Sequence, residues 1–293
     1  MVSLYMAAIT GDMQRKVFYI MRHGKAPQMP KGGSYDTLFP SAIRQICQET
    51  GKDIQESVNE LDIKPNKVFI AHSPRKRALA SAQIALVPSY HGNPDFGKYH
   101  FPADETRLGL EECDQYINAF LGDFNLDGIG KEENKGLGYS KDVGFKVYMN
   151  DDIYLIDPAI NINFWFQNPN TGYHEGAPIE PYSSVKARTN KALIDAISRL
   201  DPEQPDKEAV MDLGLLCSHC GMLESMVVNL INAGKRSKIT DINAIGGIFN
   251  FAEAAKLVVD VTPSGTYDAR LTYKSEDYKV DLLELCNKTN DCS

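Results

Sequence analysis

Arg22 and His23 stand directly after the apolar run Val17-Phe18-Tyr19-Ile20-Met21 and directly before Gly24. Arg is a permanent cation whose planar fork matches phosphate oxygens. His titrates near neutrality and can act as a nucleophile. The pair points to phosphoryl chemistry, with a phosphohistidine as the covalent form. Two further apolar runs end in a similar way. Lys67-Val68-Phe69-Ile70-Ala71 gives way to His72-Ser73-Pro74, with Arg75, Lys76 and Arg77 just beyond. Leu213-Gly214-Leu215-Leu216-Cys217 gives way to Ser218-His219-Cys220-Gly221. Brought together, these ends would form a pocket of two His and at least two Arg, suited to a phosphate dianion.

The elements that would bring them together are legible as patterns. A short apolar run, rich in β-branched and aromatic residues in the first case, predicts a buried strand. Gly24 predicts a sharp turn just past the first of these strands. A run of good helix formers predicts a helix over 77–85, and apolar residues at helical spacing predict another over 222–231, stopped by Ala233-Gly234. A further helix is predicted over 184–200, between Pro181 and Asp201-Pro202. Segments 255–262 and 269–273 predict a hairpin around Pro263-Ser264-Gly265.

Strands alternating with helices predict an α/β fold, a mainly parallel sheet covered on both faces. In such a sheet the strand ends share one edge, where open α/β sheets place their ligands. One domain is expected over 1–293. The stretch 113–176, with its Gly, Asn and aromatic content, breaks the rhythm and is expected to be an insertion that forms a rim or lid.

Bulk properties set the class. At 293 residues, 43% hydrophobic and 24% charged, the chain reads as a globular protein with a full core. A net charge of -8 argues against nucleic-acid or anionic-membrane partners, yet leaves room for a locally positive pocket and a small phosphorylated substrate. No apolar stretch reaches transmembrane length. The first residues lack the basic region of a secretory signal, and six Cys in this length do not make a disulfide scaffold, so a cytoplasmic location with free thiols is expected. Cys286 with Cys292, and Asn287-Lys288-Thr289, are weak signals to the contrary. Oligomeric state is left open.

In its motifs the chain resembles the histidine phosphatase superfamily, branch 1, with its phosphoglycerate-mutase-like fold. The matching residues are Arg22-His23-Gly24 after a strand, Ser73-Pro74-Arg75-Lys76-Arg77-Ala78 opening a helix, and Ser218-His219-Cys220-Gly221 after a late strand. The family's Glu-x-x-x-Gly-x-x-Glu is matched by Glu105 to Glu112, and 179–188 resembles its Glu-Ser helix start. The resemblance implies a three-layer αβα sandwich. It also implies a metal-independent hydrolase of small phosphomonoesters, needing no cofactor.

By the same resemblance His23 attacks phosphorus, Arg22 and Arg77 clamp the non-bridging oxygens, and His219 stabilises charge on the transferring group. Glu105 protonates the leaving oxygen. Arg75 competes for the place of Arg77, and Glu111 and Glu112 for that of Glu105. A phosphomutase on the same site, and a phosphate-binding regulatory module without turnover, are the alternatives.

The chain departs from the family at Met29, where Asn is frequent, over Phe39-Pro40-Ser41-Ala42-Ile43, and at Cys220, where Gly is common. The non-acidic Cys220 disfavours the acid-phosphatase branch. Three other patterns have bland readings beside sharper ones. Cys217-Ser218-His219-Cys220 has thioredoxin-type spacing but also reads as two packed thiols. Asp123, Asn125 and Asp127 match half of a calcium loop and also an ordinary surface turn. Phe164-Trp165-Phe166 reads as core rather than as a substrate platform.

Overall fold

A computed structural model of the chain describes residues 14–27, 37–60, 65, 67–91, 101–103, 108, 110, 113–118, 121, 162–163, 166–170, 181–199, 211–233, 235, 238–261 and 267–285, and the backbone of five short strands, β4 (Tyr139–Ser140), β5 (Gly144–Met149), β6 (Asp152–Leu155), β7 (Tyr173–His174) and β8 (Ala177–Pro178). The apolar run before His23 is the middle of a seven-stranded sheet. Strand β1 (Gln14–Arg22) pairs in parallel with β9 (Met211–Ser218) on one side and antiparallel with β10 (Ala254–Val261) on the other. Beyond β9 lie β2 (Val68–His72) and β3 (Cys113–Ile117), both parallel. Beyond β10 lie β11 (Tyr267–Tyr273) and β12 (Glu276–Val280), both antiparallel. The parallel strands β1, β9, β2 and β3 thus form one half of the sheet, and an antiparallel meander extends it.

Near-continuous apolar runs suit strands buried on both faces. Val17, Tyr19 and Met21 of β1 pack with Val68, Ile70, Leu213 and Leu215 against α1 (Pro40–Ile46), a π-helical turn (Cys47–Gly51), α2 (Lys52–Glu60) and α3 (Lys76–His91). Phe18, Ile20, Phe69 and Leu216 pack on the opposite face with α4 (Tyr182–Arg199) and α5 (Met222–Ala233). The arrangement is the expected αβα sandwich. On the second face Phe18, Gly214 and Phe69 stand side by side across β1, β9 and β2. A Cβ on Gly214 would come within 2.6 Å of the Phe69 ring, so the glycine admits the edge-on contact of the two phenyl rings.

The predicted helices and the hairpin are present with shifted bounds, and α3 runs well past its predicted end, through Pro88 to His91. Two expectations change. The stretch expected to begin the insertion at Cys113 opens instead with β3, a strand of the central sheet, so any departure from the sheet begins after Ile117. Gly24 is not in the left-handed region. Space is tight there instead: a Cβ would lie 2.8 Å from Ile46 Cδ1 and 3.2 Å from Ala42 Cβ, so both neighbours would have to shift. Near the site it is Gly221 (φ 89), between β9 and α5, that takes the left-handed conformation. Among the described residues no helix is long and apolar enough to cross a membrane.

Candidate active site

Strand register decides which side chains meet. Arg22 lies opposite Ser218, and His72 opposite Cys217, so β1, β2 and β9 end level with one another. The backbone keeps this alignment one residue further. The His23 N–H donates to the Ser218 carbonyl at 3.2 Å, and the Ser73 N–H to the Cys217 carbonyl at 3.0 Å. His23, Ser73 and His219 therefore sit side by side at the carboxyl edge of the parallel strands.

His23 is buried, 1% exposed. Its Nδ1 lies 2.7 Å from the Gly24 carbonyl oxygen, which can only accept, so Nδ1 carries the proton. Nε2 is left with its lone pair, and it accepts from Arg77 Nε at 3.3 Å. Arg77, in the first turn of α3, is fully buried. Ser81 ties that turn to the nucleophile's loop: its hydroxyl donates to the Arg77 carbonyl at 2.7 Å and accepts from the Gly24 N–H at 2.9 Å. Arg22 is anchored by donation from Nη1 to the Phe249 carbonyl at 2.6 Å.

The His219 ring stands edge-on to that of His23, with centroids 4.9 Å apart. Its Nε2 and the Ser73 hydroxyl share a hydrogen bond of 2.7 Å. Its Nδ1 is buried and has no hydrogen-bond partner among the described residues. A buried polar atom without a partner is costly, and a ligand oxygen is one group that would relieve it.

Charge and burial act together on both rings. Burial pushes the pKa of His23 well below 6.5, and His219, Arg77 and Arg22 push it further in the same direction. His219 is lowered by burial and then by Arg77, Arg75, Arg22 and Arg188. Both rings are neutral at pH 7. Groups with lowered folded-state pKa values take up protons first in the unfolded chain, so stability is full above about pH 6.5 and falls as pH drops below it. The slope is at most about 1.4 kcal/mol per pH unit for each histidine. Urea midpoints measured between pH 7.5 and pH 5.5 are expected to fall, and His219→Gln to fall less steeply; parallel profiles would contradict the electrostatics.

The structure brings Arg22, His23, Arg77 and His219 together. Arg75 is only partly buried, and Arg77 is the arginine in contact with His23. Glu105, Glu111 and Glu112 lie outside the described residues, as do Asp123, Asn125, Asp127, Trp165, Cys286 and Cys292. Phe166 is core. Cys217 and Cys220 are free, buried and assigned to opposite faces of the sheet, and burial raises both thiol pKa values. That excludes a thioredoxin-like pair, which needs adjacent sulfurs and an accessible thiolate.

Three contributors went unread in the sequence. Ser73 holds His219, Arg188 on α4 adds charge, and the buried Glu224 accepts from the N–H groups of Gly221 and Phe249. Glu224 had a local signal, an acidic residue in the first turn of a helix.

No family model and no curated protein matches the chain. Among solved structures it is similar to a mycobacterial glucosyl-3-phosphoglycerate phosphatase, at 15% identity over 88% of this chain and 96% of that one, TM-score 0.46. It is similar to a phosphoglycerate mutase from Bacillus anthracis str. Sterne, at 16% identity over 94% and 97%, TM-score 0.40. A Hafnia alvei phytase matches at 10% identity over 94% and 87%, TM-score 0.41. At such identity and overlap these proteins assign no role to any residue here.

Proposed function

We propose that the chain is a histidine phosphatase, a metal-independent hydrolase of small phosphomonoesters that works through a phosphohistidine on His23. The observation that carries this reading is the state of His23: buried, neutral, with its proton fixed on Nδ1 and its Nε2 lone pair facing the Arg77 guanidinium. A neutral imidazole nitrogen aimed among arginines is a nucleophile placed where a phosphoryl group would sit.

In this reading a phosphate dianion takes the place beside Nε2, with Arg22 and Arg77 on its non-bridging oxygens. Nε2 attacks phosphorus as the bond to the leaving oxygen breaks. Glu105 gives that oxygen its proton, then removes one from the water that attacks the phosphohistidine. Inorganic phosphate leaves and His23 is neutral again. Imidazolium cannot attack, so the surrounding cations assist by keeping the ring deprotonated. His219, neutral and held by Ser73, faces the same group and stabilises its charge in the transition state. Selection of the leaving group is assigned to the segment between β3 and Gly176, most of which lies outside the described residues.

A panel of phosphorylated metabolites and an aryl phosphate, assayed for released phosphate in excess EDTA, tests the reading. Turnover unaffected by EDTA is expected. No release from any substrate, or release lost in EDTA and restored by Mg²⁺, would contradict it.

A further inference from the structure

Beside the four residues of the pocket stands an aromatic ring with no part in the chemistry above. Phe251 lies in the loop before β10. The Arg22 Cζ sits 4.1 Å from the centroid of its ring, and the His23 ring is 5.8 Å away at a tilt of 53°. The side chain is partly exposed, so core burial does not account for its position.

The backbone that presents it is held from outside the loop. Gln45 Nε2 of α1 donates to the Phe251 carbonyl at 3.1 Å. Thr50 Oγ1 of the π-helical turn donates to the carbonyl of the next residue, Ala252, at 2.6 Å. Ala252 itself is buried with φ 65, a left-handed conformation that a residue with a Cβ adopts at a cost. Its N–H approaches the His23 carbonyl at 3.4 Å. On the other side Arg22 Nη1 is bound to the Phe249 carbonyl, whose own N–H is held by Glu224. Strain maintained beside a reactive group by several outside contacts is what a functional constraint leaves behind.

We infer that Phe251 is a positioning residue for phosphate recognition. Its π face covers one side of the Arg22 guanidinium and fixes the plane of the fork that the phosphatase reading sets on the substrate's oxygens. The negative face of the ring also stabilises the cation where water is largely excluded. This inference rests on the phosphatase reading of the site.

Titrating inorganic phosphate into the full chain by calorimetry separates the two. Wild-type protein is expected to bind phosphate. Phe251→Leu keeps apolar volume and removes the π face. It should weaken binding by about 3- to 30-fold, with the melting temperature of the phosphate-free protein lowered by a few degrees at most. Phe251→Trp should restore affinity, which a packing role would not explain. In turnover, KM should rise by more than kcat falls. Wild-type affinity in Phe251→Leu would overturn the inference and leave the phosphatase reading standing. Absence of phosphate binding by the wild-type chain would overturn that reading and the inference with it.

Discussion

Replacing His23 with alanine is expected to abolish turnover, with phosphomonoester hydrolysis falling by roughly a thousandfold or more. The expectation follows from the single nitrogen that the site holds ready. Nδ1 is committed to the Gly24 carbonyl, and Nε2 is the lone pair facing Arg77. Arg22 and Arg77 remain in place in the variant, so phosphate binding should survive the loss of turnover. That combination separates a missing nucleophile from a collapsed pocket. Steady-state rates together with calorimetric phosphate titration would read it. Residual activity near the wild-type level would remove His23 from the mechanism.

Arg77→Met is expected to cost about a hundred- to a thousandfold in kcat/KM, the range seen when one fixed donor is removed from a developing charge. Arg77→Lys should recover little, since an ammonium does not reproduce the planar fork. The substitution has a second consequence with a definite sign. Arg77 is one of the cations that hold the His23 pKa below its usual value. Without it that pKa rises, so the acid limb of the rate profile moves toward neutral pH. Profiles of wild-type and Arg77→Met protein on an activated aryl ester would show the displacement. An unmoved limb would mean that burial alone, the first cause of the shift, governs the nucleophile.

These effects depend on an alignment that was largely written in the sequence. Three apolar runs ending in polar residues, joined through helices, imply parallel strands, and parallel strands finish on one edge. Arg22, His23 and His219 followed from that geometry, and the choice of Arg77 over Arg75 from the family resemblance. Contacts set by strand register did not. Ser73 meets His219 because β2 and β9 lie level, and nothing local to Ser73 reports that. Strand β3 was hidden for another reason: as an edge strand reading Cys-Asp-Gln-Tyr-Ile it lacks an apolar run, and Gln115 is satisfied by Gln83. β12 likewise presents Glu276, Asp277 and Lys279 at the opposite edge, where charge discourages further pairing. Gly24 was noticed for backbone freedom, whereas what the fold uses there is its small size, packed close to Ile46 and Ala42. Proximity between distant segments is a tertiary property, and neither residue spacing nor local propensity encodes it.

The central claim is a covalent one, a phosphoryl group carried on His23. Rapid acid-free denaturation during turnover of a radiolabelled phosphomonoester tests it most directly, followed by peptide mapping under alkaline conditions that preserve phosphohistidine. Label on the peptide containing His23, absent from His23→Ala, is the expected result. Steady hydrolysis with no label retained by the protein, or label retained equally by His23→Ala, would contradict it.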